Sequence, residues 1–402
     1  VTSPSYPPLA QHAATDMLRV GRRRRTVLFS VLAVIVVLAF IAIAAIARLN
    51  GNLTVVQLSA GQDFESSLSG ANVQVGTEPL NVLVLGSDGR DAGEGRFGDD
   101  DGTRRSDSMM LVHIAGNNER IDAVQIPRDT LVTMPACQDV GHGAFAGGYG
   151  LVNVAYNYGE HCSVLAVEAL TGVDIDHVVS LNFDGFETVV DAVGGIQVCL
   201  DEPIRDGHSM LDLPAGQQEL GGQDALALAR VRYVIGDGSD ISRLENQQMV
   251  MSAIVQRATA TEVLARPDRL YGLVDAITSS LTVDEGLNSV TRLAGLAMRI
   301  NAVGMENITF VTMPWAQAVS DPNRIDPAPE AQLVWDALIA DEPINLAPAE
   351  DEDADMVEDP ETGMIAEATP APDDFTDGFT DAESTADQIE ATARTADAAI
   401  CG

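Results

Sequence analysis

The sequence predicts an α/β domain with a single mixed central sheet flanked by helices, preceded by one transmembrane helix. Three observations predict this. Between residues 79 and 340, short apolar runs that read as strands interleave with longer runs that read as helices, the pattern of helices packed on the faces of a sheet. From Val27-Leu28-Phe29 through Ile46 there is an uncharged apolar stretch of roughly twenty residues, enough to cross a bilayer. After about residue 340, Asp, Glu and small residues dominate and apolar periodicity stops.

Taken in order, residues 1–25 read as a short cytoplasmic tail carrying Arg19 and the run Arg22 to Arg25. Residues 26–47 are the transmembrane helix. It has no polar face, unlike a surface helix of a soluble protein, and it is longer than the apolar core of a cleaved signal peptide. Arginines precede it and only Arg48 follows directly, which places the N-terminus in the cytoplasm and the rest outside the cell membrane. Residues 48–78 are expected to be a polar extracellular stalk.

The folded domain, 79–340, opens with Leu80 to Leu85, a buried strand running into the loop Gly86-Ser-Asp88-Gly-Arg90. Ser108 to Ile114 and Ile121 to Ile126 are the next strands, the second stopped by Pro127. Leu151 to Tyr158 and Val164 to Leu170 read as helical, and Val178 to Leu181 as a strand. Phe183 to Val193 is a helix closed by Gly194-Gly195, and Ile196 to Leu200 another strand. Helices follow at Gln223 to Arg230 and Ile241 to Ala258, and Ile308 to Met313 is the last strand. Residues 341–402 are expected to form an acidic disordered tail.

The chain contains no lysine; all 23 basic residues are arginine, against a net charge of -37. Nucleic acid is excluded as a partner, because so acidic a surface repels a polyanion. Arginine clusters stand out from this background. Arg230 and Arg232 lie two apart and share a side if the chain is extended there. Arg243 and Gln247 are four apart on one helical face, with Asp240 or Ser239 as N-cap. A cation in the first helical turn opposes the helix dipole, which makes sense where an anion binds. The same spacing also fits an ordinary amphipathic helix. Arg128 follows Ile126-Pro127 on a loop, where it can face a ligand or pair with Asp129. A guanidinium is a permanently charged fork matched to phosphate oxygens.

Asp88 follows one strand and Asp107 opens the next. If those strands are neighbours, two carboxylates share one end of the sheet and suit Mg²⁺, which shares its shell with substrate phosphates. An Asx turn at Asp88 and a strand-end hydrogen bond at Asp107 fit the same pattern. The six histidines show no metal spacing. No phosphate-binding glycine loop, nucleophile elbow or Cys-x-x-Cys pair is present. Cys137 and Cys162 flank one loop-like segment and are candidates for a disulfide; Cys199 and Cys401 can pair or stay free.

Several blocks, in order, resemble the LytR-CpsA-Psr family. They are Asn81 to Arg90, Arg105-Ser-Asp107-Ser-Met-Met-Leu, Ile126-Pro-Arg128-Asp-Thr, and Val152-Asn153-Val-Ala-Tyr156. Asp191 to Gly195, Leu213 to Gly216, Arg230-Val-Arg232 and Gly236 to Gln248 complete the set. The resemblance implies a sandwich fold with an apolar tunnel for a polyprenyl tail. It implies an enzyme that moves a glycopolymer from a polyprenyl-pyrophosphate carrier onto peptidoglycan through a phosphodiester. By motif position, Asp88 and Asp107 hold Mg²⁺, and Arg105, Arg128, Arg230, Arg232, Arg243 and Gln247 grip the pyrophosphate, with Asp240 orienting the arginines. The Asp88–Asp107 interval is longer than the family's pattern, and Asn246 stands where an arginine is common. The all-arginine, alanine-rich composition points to an actinobacterial source and so to arabinogalactan or a related polymer as cargo. The alternatives are a polyprenyl-pyrophosphate hydrolase, with water as acceptor, and a non-catalytic envelope-binding protein.

Overall fold

The computed structural model describes residues 9–58, 78–87, 104–200, 202–207, 209, 211–231, 240–345 and 393–395, with 9–27, 240–242, 264 and 393–395 described by backbone alone. The chain divides into two units, Val1–Asn52 and Leu53–Gly402. The described part of the first unit is one helix, Leu9–Asn52. Its Leu28–Asn52 portion is long and apolar enough to cross a membrane. The helix runs past both ends of the apolar stretch, and the arginines and alanines before it are also good helix formers.

The second unit is built on an eight-stranded mixed sheet. Its spatial order is Thr54–Val56, Leu281–Asp284, His177–Asn182, Leu80–Ser87, Ser106–Ile114, Ile121–Ile126, Ile308–Thr312 and Ala393–Thr395. The three strands from Leu80 to Ile126 form an antiparallel meander. His177–Asn182 and Ile308–Thr312 flank that meander in parallel register.

Helices cover both faces of the sheet, and alternation along each strand assigns side chains to them. Leu83, Leu85, Met109 and Leu111 pack on one side with Val164 and Val167 of the helix Glu160–Thr171 and Trp335 of the helix Ala331–Ala340. Their strand neighbours Val82 and Met110 face the other way, toward Leu296 and Val303 of the helix Val290–Val303. With both faces covered, all six residues of Ile121–Ile126 are buried. Burying a leucine such as Leu111 completely contributes about 1.5–3 kcal/mol relative to leaving it in water. A third cluster joins the helices Phe183–Ala192, Gly222–Arg230 and Asp240–Thr259 to a small ribbon.

That ribbon departs from expectation. Ile196–Leu200 is a strand, but it pairs with Gly216–Leu220 outside the central sheet. Gly194 and Gly195 both take positive φ and turn the chain away; a Cβ on Gly195 would sit 3.0 Å from the Leu220 carbonyl oxygen. Two edges of the sheet come from regions read as stalk and tail. Thr54–Val56 runs parallel to Leu281–Asp284, and Ala393–Thr395 lies antiparallel to Ile308–Thr312. Three-residue edge strands carry too little pattern to stand out in a sequence. Cys137 and Cys162 form a disulfide across 25 residues; Cys401 lies outside the described residues.

Candidate anion-binding site in an apolar cavity

The site begins with an irregularity. Leu80–Ser87 and Ser106–Ile114 pair in register until Gly86 meets Ser108; Ser87 then meets Ser106. Asp107 is the extra residue of a bulge, a device that re-aims a side chain at the end of a ladder. Gly86 lets the strands approach closely there, since a Cβ would lie 3.1 Å from that of Ser108.

Pro127 ends the neighbouring strand, and the Thr130 hydroxyl donates to its carbonyl at 2.7 Å, fixing the turn. Arg128 therefore projects toward the bulge, and its Nη1 donates to Asp107 Oδ1 at 2.6 Å. The alternative pairing with Asp129 is also present but longer, at 3.5 Å, and Asp129 is held by Arg324 at 2.7 Å. Arg128 and Asp107 keep 17% and 24% of their side chains exposed, so the pair is open to the outside.

A cavity of about 440 Å³ opens beside the pair. Asp107, Arg230, Arg243 and Gln247 stand on its wall, with Asn182, Asp206 and Ser209. Much of the rest is apolar: Val84, Leu85, Met110, Leu181, Phe183, Phe186, Leu226, Val250 and Met251. Arg230 ends the helix Gly222–Arg230, where a cation complements the dipole, and its guanidinium lies 4.8 Å over the Phe183 ring. Arg243 is 2% exposed, one turn before Gln247 on the same face of Asp240–Thr259. Permanently charged forks on a largely apolar wall match a ligand with an anionic head and an apolar body.

Five predicted residues are thus brought together: Asp107, Arg230, Arg243 and Gln247 on the wall, and Arg128 bonded to Asp107. Arg105 is exposed and is not on the wall. Asp88 and Arg232 lie outside the described residues, and Asp240 begins its helix with only its backbone described. Among the described residues, no group of three or more His, Cys, Asp or Glu could hold a metal.

Sequence reasoning missed Asp206 and Ser209, which bond to each other at 2.8 Å on the wall. They belong to a short hairpin without a motif. It also missed Arg104. That guanidinium stacks 4.8 Å over the Tyr156 ring and lies 3.9 Å from buried Glu160. Glu160 accepts from the hydroxyls of Tyr156 (3.1 Å) and Ser180 (2.9 Å). Burial, and then the nearby Glu160, push the Tyr156 hydroxyl above its ordinary pKa, so it stays protonated. The i, i+4 spacing of Tyr156 and Glu160 was the available signal.

Fold and site together define a class: an α/β sandwich that presents arginines and the carboxylates of Asp107 and Asp206 to a largely apolar cavity at the ends of its central strands. A family model described as the LytR_cpsA_psr family matches residues 48–337, well over half of the chain, and the chain belongs to that family. It is 30% identical over 265 residues to the cell wall biosynthesis protein LcpA of Corynebacterium glutamicum, covering 58% of this chain and 49% of that one. It is 34% identical over 212 residues to the polyisoprenyl-teichoic acid–peptidoglycan teichoic acid transferase TagU of Bacillus cereus, covering 52% and 63%. The chain thus matches about half to just under two thirds of the length of these relatives. Among solved structures, it superposes on a LytR-Csp2A-Psr enzyme from Actinomyces oris with a TM-score of 0.53 and 24% identity, over 65% of this chain and 90% of that one. That likeness concerns the fold.

Proposed function

We propose that this protein transfers a glycopolymer from a polyisoprenyl-pyrophosphate carrier to peptidoglycan at the outer face of the cytoplasmic membrane. The observation that carries this reading is the cavity wall itself, where Arg230, Arg243, Gln247 and Asp107 adjoin apolar side chains. A lipid pyrophosphate needs both parts: cationic donors for its oxygens and a dry apolar surface for its chain. The likeness to TagU, a polyisoprenyl-teichoic acid–peptidoglycan teichoic acid transferase, supports the same donor and acceptor classes.

In this reading, a sugar hydroxyl of peptidoglycan attacks the phosphorus attached to the glycopolymer. The new O–P bond forms as the bond to polyisoprenyl phosphate breaks, and the hydroxyl's proton ends on the departing polyisoprenyl phosphate. Arg230 and Arg243 hold the phosphate oxygens and offset the charge that develops on them, which is where electrostatic groups lower a barrier most. Arg128 keeps Asp107 aimed at the reacting head. The apolar wall around Phe183 and Phe186 excludes water, which favours transfer over hydrolysis. Asp107 also fits Mg²⁺: Oδ1 is bonded to Arg128, Oδ2 takes no bond among the described residues, and one or two carboxylates with phosphate suffice for this ion. Mg²⁺ held there, with Asp88, would supply further charge neutralisation on the pyrophosphate. The arabinogalactan-type cargo is the finer part of the proposal, and it rests on composition.

The test is to incubate the full chain, in detergent, with a lipid-linked pyrophosphoryl oligosaccharide, Mg²⁺ and a peptidoglycan oligomer. Mass spectrometry then follows the release of polyisoprenyl phosphate and capture of the sugar. Capture that is lost in Asp107→Ala and Arg243→Ala is the expected result. Carrier cleavage without capture would instead identify a hydrolase.

A further inference from the structure

Gln125 is fully buried in a strand whose six residues are all buried. A primary amide in such a place is unfavourable unless its bonds are made. Gln125 makes one: Nε2 donates to Gln247 Oε1 at 2.5 Å. Its own Oε1 is buried without a hydrogen-bond partner among the described residues. For stability alone an apolar residue would serve better, since an unmet buried acceptor is destabilising. The residue therefore matters through the bond it donates.

That bond has a determined direction. Gln247 Nε2 donates to the backbone carbonyl of Ala229 at 3.3 Å. A carbonyl only accepts, so Ala229 decides which end of the Gln247 amide faces it. Oε1 is then the end that faces Gln125, and Gln125 must present its NH₂. The two-fold ambiguity of each amide is resolved by one backbone oxygen. Gln247 stands on the cavity wall with its Oε1 accepting from Gln125 and, among the described residues, one N–H without a partner.

We propose that Gln125 is a positioning residue. Through Gln247 it engages the amide oxygen and leaves an N–H to offer a ligand, favouring an acceptor-only anionic head such as pyrophosphate. The inference rests on the function proposed above. Arg243, one turn away and also on the wall, adds donors from the same helix.

The fold contains an internal control. Thr312 sits beside Gln125 in the adjacent parallel strand, and its hydroxyl accepts from Gln248 Nε2 at 3.0 Å. Gln248 is buried on the same helix but is not on the cavity wall. Two neighbouring side-chain bonds thus tie one helix to one sheet, and only the Gln125 bond leads to the cavity.

The experiment measures binding of geranylgeranyl pyrophosphate to the full chain in detergent by calorimetry. Gln125→Met, which keeps the size and removes the donor, should weaken binding about tenfold, equivalent to 1.4 kcal/mol. Thr312→Val, which removes the neighbouring bond from Gln248, should bind within about twofold of wild type. In a Gln247→Leu background, Gln125→Met should have no further effect on binding, because the two residues act as one. Equal binding by Gln125→Met and wild type, or additive losses in the double variant, would overturn the inference while leaving the proposed function standing. Failure of the wild type to bind would remove both. Should Gln125→Met not fold, the side-chain NH₂ resonance of Gln247 in the wild type, identified by its loss in Gln247→Leu, gives the answer. It should shift on titration while that of Gln248 stays in place; no shift at Gln247 overturns the inference.

Discussion

The strands Ser106–Ile114 and Ile121–Ile126 form a hairpin with an aspartate–arginine pair at each end. At the open end Arg128 bonds Asp107, which stands on the cavity wall with Oδ2 unbonded among the described residues. At the turn end Arg120 bonds both Asp122 and Asp341. Asp341 also meets His113 Nε2 at 3.0 Å and accepts from the Gly116 N–H at 3.0 Å, while His113 Nδ1 meets Asn81 at 2.8 Å. Asp341 directly follows the helix Ala331–Ala340 in left-handed conformation and ties that helix to the hairpin. The residue types are the same, but their surroundings differ. At the turn the carboxylates are spent on internal partners, whereas at the cavity one oxygen remains for a ligand. An ion pair becomes part of a site when it is left incomplete next to a space.

The comparison can be tested from both sides. The largest effect is expected from Arg128→Ala. Transfer activity should fall on the order of 10²–10³-fold, as when one preorganised charge donor is removed from a transition state. The melting temperature should change little, because the pair is partly exposed. If the variant melted early and its residual folded fraction kept full activity, the two ends would not differ as argued.

Arg120→Ala should show the opposite behaviour. Asp122 is buried, and burial already pushes its carboxyl above the ordinary value despite the opposing pull of Arg120. Removing that partner strands a buried carboxylate, which costs about 3 kcal/mol of stability by denaturant titration. Turnover of the folded protein should be unchanged.

The smallest effect belongs to Asp341→Asn, which preserves the left-handed backbone preference. Burial raises the Asp341 carboxyl, but the Gly116 N–H, His113 and Arg120 together outweigh it and hold the group below its ordinary value of 3.8. A lowered folded value means stabilisation that is present above pH 3.8 and lost as pH falls through the folded value. At neutral pH the variant should lose about 1 kcal/mol, a modest figure because the side chain is 30% exposed. The gap from wild type should close on acidification. A gap that widened in acid would show that Asp341 is not the charged partner of this cluster.

Much of the site was legible because charge is conspicuous in this chain. Arg243 and Gln247 share a helical face through their spacing, and Arg128 announces itself after a strand-ending proline. Arg104 and Asp206 were not legible. Both depend on partners distant in sequence or on short hairpins with no motif. Gln125 was hidden for a different reason: it sits in a run read as an apolar strand, and its meaning lies in a partner 122 residues away.

The sequence by itself determined the apolar N-terminal helix, the alternation of strands and helices, and the arginine-bearing blocks. These are local properties, since hydrophobic period, capping and turn chemistry act within about a dozen residues. Only the tertiary structure decided which hairpin end became a site. It took the bulge at Asp107 to open one pair onto a cavity, and Asp341, 221 residues from Arg120, to close the other. Cavities and completed ion clusters form between segments that packing brings together, so their chemistry depends on geometry that a linear pattern does not contain.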